Sequence, residues 1–199
     1  MTVEYMRPTG RKTTTRDYSE FNLGLPRGKV PQVVGMLASG FPDADKFLLK
    51  QADALKRVWP TTRFRFEVKA GADQLNVAIQ DPLLSSMAEE CDAVIIAWGH
   101  CGSCTSGVTR DGILFAERGV PSVTLVCDIF WDYSEWYGGA LGVTSLPRVQ
   151  IPFPTSGTGD ANQRQWAEKL VPQIVEQLAL RTARPQSAVN LAVASGAAA

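Results

Sequence analysis

From Val33 onward, short and nearly continuous apolar runs alternate with longer segments whose apolar positions recur every three to four residues. Val33-Val34-Gly35-Met36-Leu37-Ala38, Ala93-Val94-Ile95-Ile96-Ala97-Trp98 and Ser122 to Cys127 have the length and β-branched content of strands buried on both faces. The segment from about Asp43 to Val58 sets Phe47, Leu48, Leu55 and Val58 on one stripe, with Asp43 or Ser39 as cap and Pro60 as stop. Trp166, Leu170, Ile174 and Leu178, spaced by four, mark a last helix from about Ala161 to Arg181. A weaker helix covers Pro82 to Glu90, where Asp81-Pro82 resembles a cap followed by proline at the first helical position. Arg63 to Lys69 alternates strictly and reads as a half-exposed edge strand closed by Gly71. Val149 to Pro154 is a short last strand, placed at an edge by Pro152 and Pro154. This alternation predicts an α/β fold: a single open, mostly parallel sheet of four or five strands with helices on both faces, flavodoxin-like or Rossmann-like. No G-x-G-x-x-G follows a strand, so a dinucleotide site is not supported.

Around this pattern the chain divides into an arm over residues 1–30, an α/β domain over 31–182 and a flexible tail over 183–199. The arm is polar and loop-like, and its Tyr5, Tyr18 and Phe21 are suited to anchor it on the domain or on a partner subunit. At 199 residues one domain can bury a substantial core without disulfides. Twenty Lys and Arg balance 20 Asp and Glu, which gives no electrostatic case for nucleic acid or an anionic membrane. The amino terminus lacks a signal-peptide core and no run is long and apolar enough to span a bilayer, so a cytoplasmic location is expected. There thiols stay reduced, and the four cysteines read as chemistry or core rather than as a disulfide framework.

The candidate chemistry lies between the second and third apolar runs. Gly99-His100-Cys101-Gly102-Ser103-Cys104-Thr105-Ser106 is a tight polar loop. It is followed by an amphipathic helix with Val108, Ile113, Leu114 and Phe115 on its apolar side and stopped by Gly119. Two thiols therefore sit where the carboxyl end of a strand meets the amino end of a helix, the usual place for sites in open α/β sheets. Free N–H groups and the helix dipole favour a thiolate there. Gly102 and the short spacing let Cys101 and Cys104 approach, so that one can attack and the other resolve. With no second CxxC in the chain, redox or nucleophilic chemistry is favoured over structural zinc.

GHCGSCTS, the helix containing Asp111 and Glu117, and the turn RGVPSV together resemble the UGSC-motif family of selenoproteins and their cysteine homologues. A more distant resemblance extends to the selenoprotein B-type subunits of the glycine reductase class. The resemblance runs from about Val33 to Pro154. It implies that Cys101 stands at the selenocysteine position as nucleophile and Cys104 as the resolving thiol, and it adds Asp111 to the candidate catalytic residues. His100, where many relatives carry a small or acidic residue, and Ser39-Gly40-Phe41-Pro42, in place of an N-G-K-P-like turn, depart from the pattern.

The leading expectation is thus a thiol-dependent, oxidoreductase-like enzyme acting on a small organic substrate. His100, the single histidine, is the candidate acid or base beside the nucleophile. Ser103 and Thr105 would bind substrate or steady the thiolate. Trp131 and Trp136, in the aromatic stretch Asp128 to Gly139, would wall a pocket. A second reading is a zinc or iron site built from His100, Cys101, Cys104 and Cys127, with adjacent residues 100 and 101 awkward as joint ligands. A third is a non-catalytic electron-transfer or partner subunit. An oligomer, homomeric or heteromeric, is expected from the long arm. The Gly-rich loop Thr155 to Asp160 could hold an anion on its amides, though no P-loop lysine follows it.

Overall fold

The computed structural model describes residues 14–69 and 77–179. Tyr5, Gly71 and the tail from 183 lie outside the described residues. Five strands form one parallel sheet: β2 (Val33–Ala38), β3 (Arg63–Val68), β4 (Ala93–Gly99), β5 (Ser122–Cys127) and β7 (Arg148–Ile151). Their spatial order is β3-β2-β4-β5-β7. Counted along the chain this is the flavodoxin-type order 2-1-3-4-5, in which the strand order reverses between β2 and β4. The α/β class, the parallel sheet and the edge position of Arg63–Val68 agree with the pattern of the sequence.

Helices cover both faces. Alternate residues of each strand, such as Val34, Met36, Ile95, Val123 and Leu125, join α1 (Ala44–Leu55) and α5 (Asp160–Leu178) in one core layer. The intervening residues Leu37, Val94, Ile96 and Val126 meet α2 (Val77–Glu90) and α3 (Gly102–Glu117) in the other. A strand buried on both sides has no polar face to alternate with, which is why β2, β4 and β5 read as unbroken apolar runs. On the α3 side lies α4 (Trp131–Ala140), bonded to α3 through Tyr133–Ser106 and Ser134–Thr109 and packed on β6 (Val143–Thr144) at Gly138. A Cβ on Gly138 would meet the Val143 carbonyl oxygen at 3.0 Å.

Several boundaries differ from expectation. α2 begins at Val77 and runs through Pro82, so Asp81-Pro82 is not its start. β7 begins at Arg148 and ends at Ile151, since the flanking prolines cannot extend a ladder. α1 ends at Leu55, leaving Val58 exposed rather than on the buried stripe. The described part of the arm is packed. Arg16–Asp17 (β1) pairs in parallel with Val143–Thr144 (β6), and Tyr18 is buried against Ile113, Ala116 and Leu146. The arm is thereby anchored on its own domain. No helix among the described residues is long and apolar enough to cross a membrane.

Candidate functional site: a dithiol at the first turn of α3

α3 starts at Gly102, so Cys104, Thr105 and Ser106 are helical rather than part of a loop, and Cys101 is the N-cap. Gly99 makes the tight junction possible. A Cβ there would lie 2.8 Å from Thr105 Oγ1 and 3.2 Å from its Cα. With that side chain absent, the helix turns directly off the end of β4. Thr105, expected to bind substrate, is instead fully buried and donates its hydroxyl to the Cys101 carbonyl at 2.7 Å. The dithiol therefore lies at the carboxyl end of β4, beside the switch point of the sheet, where open α/β folds place their ligands.

At the cap, Cys101 Sγ accepts the backbone N–H of Cys104 at 3.3 Å and lies 3.3 Å from Ser103 Oγ. Cys104 Sγ is 2.8 Å from Cys101 Sγ. Burial alone would push the Cys101 thiol up. The Cys104 thiol, the Ser103 hydroxyl and the backbone N–H groups of Cys104 and Ser103 outweigh it, and the net direction is down. Cys101 is half-buried while Cys104 is 3% exposed. One sulfur thus meets solvent with its thiolate favoured relative to an ordinary thiol, and the other lies behind it within hydrogen-bonding distance. Around Gly102 the surface is open, with nothing within 4 Å of the position a Cβ would take.

His100 is placed differently from an acid or base serving Cys101. Its Nε2 accepts the backbone N–H groups of Thr155 and Ser156, both at 3.2 Å. Its ring lies among Phe41, Phe153 and Trp98, with centroids 4.8, 4.9 and 5.5 Å away. Burial pushes its pKa down, against a hydrogen bond to its own backbone, so the imidazole is neutral and an acceptor at Nε2. This role also occupies amides of the Gly-rich loop. The amides of Thr155 and Ser156 go to His100, and that of Gly157 goes to Asp43 Oδ2 at 2.9 Å. His100 and Asp43 together tie the loops after β2, β4 and β7 into one rim at the carboxyl edge.

The other expected site residues disperse. Asp111 is 2% exposed and takes both its oxygens to Lys69 Nζ, at 2.9 and 2.8 Å. It is ten residues past Cys101, about 15 Å along the helix by the α-helical rise. Burial pushes its carboxyl up to about 6, against the pull of Lys69, which leaves it ionised at neutral pH. Trp131 stacks under the Arg148 guanidinium, 4.1 Å from ring centroid to Cζ, and Trp136 is 65% exposed on the outside of α4. Cys127 belongs to the α1–α5 core layer, on the other face of the sheet from α3, and burial pushes it up to about 12. It cannot join Cys101 and Cys104 on one ion. Among the described residues no group of three or more His, Cys, Asp and Glu side chains is placed to hold a metal.

Tyr133 is a neighbour of the site that sequence reasoning missed. Ser106 gives its hydroxyl proton to the Gly102 carbonyl at 3.0 Å, so the Tyr133 hydroxyl, 2.7 Å away, donates to Ser106. Thr109–Ser134 and Arg110–Tyr137 bonds continue the contact along the helix pair. A run of small polar residues in α3 opposite hydroxyls in α4 was the available signal. Cavities of about 290 and 390 Å³ lie at the far, amino-terminal edge of the sheet, the first beside Trp59 and the second beside Asp92, remote from the thiols.

The chain belongs to the UGSC family, whose family model matches residues 4–180. The match includes the described arm and all of α5, and so extends beyond the Val33 to Pro154 stretch that carries the motif. No curated protein matches the chain.

Proposed function

We propose that this UGSC-family chain is a thiol-dependent enzyme or reductase subunit that acts on a small organic electrophile. The observation that carries this reading is the geometry of the pair: a half-exposed Cys101 sulfur at the helix cap, 2.8 Å from a buried Cys104 sulfur. Cys101 thiolate attacks the acceptor, forms a bond to it and displaces one leaving group, which departs with its electron pair and takes a proton. Cys104 then loses its proton and attacks Cys101 sulfur. The bond to the adduct breaks, the second fragment leaves protonated, and a Cys101–Cys104 disulfide remains. The substrate gains two electrons and the dithiol loses them, so an external thiol reductant must restore the pair. Exposure supports Cys101 as attacker, because a sulfur as buried as Cys104 meets an adduct more readily than a free substrate. A reducing compartment such as the cytoplasm suits this cycle.

Intact-mass measurement after incubation with a small disulfide tests the assignment. Cys104→Ser should retain an adduct on Cys101 that a small thiol removes, and Cys101→Ser should retain none. An adduct on Cys104 in the Cys101→Ser variant would reverse the roles. Absence of adduct in both variants, with the fold intact by circular dichroism, would sink the proposal.

A further inference from the structure

The carboxyl rim of the sheet is joined through one imidazole. His100 Nε2 has a single lone pair, shared between the backbone N–H groups of Thr155 and Ser156, both at 3.2 Å. The ring is stacked on Phe41 and tilted against Phe153 and Trp98. Thr155 is fully buried, so its amide has no water to turn to if the ring withdraws. Ser156 extends the joint by giving its hydroxyl to the Pro42 carbonyl at 3.1 Å, and Gly157 by giving its amide to Asp43. Such a joint admits one protonation state. A proton on Nε2 would face two N–H donors and leave both amides without an acceptor. Burial acts in the same direction and pushes the imidazole below its ordinary 6.5.

We propose that His100 is a pH-sensitive clasp, whose neutral imidazole holds the loop after β7 to the end of β4 and whose protonation releases that loop beside Cys101. The clasp requires no particular chemistry at the thiols. Among the described residues, the ionisable groups that border it are Cys101 itself, Asp43 with Lys46 after β2, Asp128 after β5, and Asp160 with Lys50 and Arg164 at the start of α5. The Gly157 amide and Lys46 hold the Asp43 carboxyl below its usual 3.8, and Arg164 and Lys50 do the same for Asp160. Neither takes up a proton between pH 7 and pH 5. Because the imidazole is depressed in the closed state, the clasp is at full strength above pH 6.5 and is lost as pH falls through the closed-state value.

Amide hydrogen exchange followed by NMR, corrected for intrinsic rates, tests the clasp. In the wild type the protection of Thr155 and Ser156 should fall by at least about threefold between pH 7 and pH 5. The ceiling is about twentyfold, the gain in protonated open form for an imidazole of pKa 6.5. Amides of β4 and β5 should keep their protection. His100 is the single histidine, so its ring resonance is unambiguous and should titrate at the pH where protection falls. His100→Gln, which keeps an acceptor that does not titrate, should remove the pH step, and His100→Ala should lose protection at both pH values. Unchanged wild-type protection, or a fall at a pH other than that of the ring, overturns the proposal. The same step in His100→Gln also overturns it and assigns the release to a rim carboxylate. Should the variants fail to fold, the coincidence of the two wild-type titrations decides.

Discussion

α3 carries two polar groupings, and they behave in opposite ways. At its first turn Cys101 is half-buried, and the Cys104 thiol, the Ser103 hydroxyl and the backbone N–H groups of Cys104 and Ser103 outweigh burial and ease its ionisation. Ten residues on, Asp111 and Lys69 are sealed from water, 3% and 1% exposed in their side chains, and are paired at 2.8 Å. The first grouping has the freedom that chemistry requires. The second has none, because neutralising either partner strands a buried charge. Both look like site residues when the chain is read linearly. Burial separates a group poised to react from one that fixes the helix against the end of β3.

The comparison breaks most visibly at the sealed pair. Asp111→Ala leaves the Lys69 ammonium buried without its carboxylate and should cost about 3–5 kcal/mol in denaturant unfolding. Adding Lys69→Met should recover most of that loss. Alkylation of Cys101 in the double variant should stay within a few-fold of wild type. The pair also has a pH signature. The folded carboxyl titrates near 6 against 3.8 in the unfolded chain, so the folded state holds this proton more tightly. The stability this contributes is present below pH 3.8 and is lost as pH rises through 6. Asp111→Asn should remove that part of the slope. A large loss of thiol reactivity in the double variant, with the fold kept, would return Asp111 to the catalytic group.

The four cysteines sharpen the contrast from the thiol side. Cys91, at the amino end of the strand that leads to Cys101, is pushed up by burial to about 11, and Cys127 to about 12, while Cys101 is drawn below the ordinary thiol value of 9.0. Cys101 lies below 9.0 and Cys91 near 11, so Cys101 holds at least about a hundredfold more thiolate, and its weaker intrinsic nucleophilicity returns only part of that. Alkylation at pH 7, followed residue by residue in digests, should therefore favour Cys101 over Cys91 by at least about tenfold, and burial of Cys91 adds to the gap. Equal rates would remove the electrostatic argument for the helix cap.

The sequence showed these features unequally, for physical reasons. Strands buried on both faces leave continuous apolar runs, so β2, β4 and β5 were legible to within a residue. The start of α3 was not, because periodicity weighs apolar positions and Gly102-Ser103-Cys104-Thr105-Ser106 offers none. Those small residues are helical because they let the turn close on Gly99 and meet the hydroxyls of α4. The aromatic stretch revealed its composition but not its phase. Ser134 and Gly138, buried against α3, turn Tyr133 toward Ser106 and leave Trp136 outside. Asp111 was conspicuous, but its partner is 42 residues away at the end of an edge strand, beyond any local pattern. The CxxC junction was legible because sequence neighbours and the fold's general rule for ligand placement both determine it.

Tyr133→Phe probes the layer between the two groupings. It removes the hydroxyl that donates to Ser106 and should cost about 1 kcal/mol of stability, the usual worth of such a bond. Cys101 alkylation should change less than twofold, because Ser106 keeps its own bond to Gly102. A drop in reactivity larger than the drop in stability would make Tyr133 a positioning residue for the dithiol, and the α3–α4 contact a part of the site.

The smallest effect tests the cap itself. Ser103 is exposed, its hydroxyl lies 3.3 Å from Cys101 Sγ, and it is among the donors that draw the thiol down. Ser103→Ala removes that donor while the backbone N–H groups of Cys104 and Ser103 remain, so the Cys101 pKa should rise but stay below that of Cys91. In the pH range below the Cys101 pKa the thiolate fraction then falls, and alkylation there should slow roughly two- to threefold, the equivalent of a weak hydrogen bond. Well above the pKa both proteins are fully ionised and their rates should converge. Stability should move by less than about 0.5 kcal/mol, as for other exposed substitutions. The shape of the pH profile distinguishes the possibilities. A parallel loss at every pH would mean that Ser103 holds the geometry of the turn, whereas a loss confined to low pH identifies it as a donor to the thiolate.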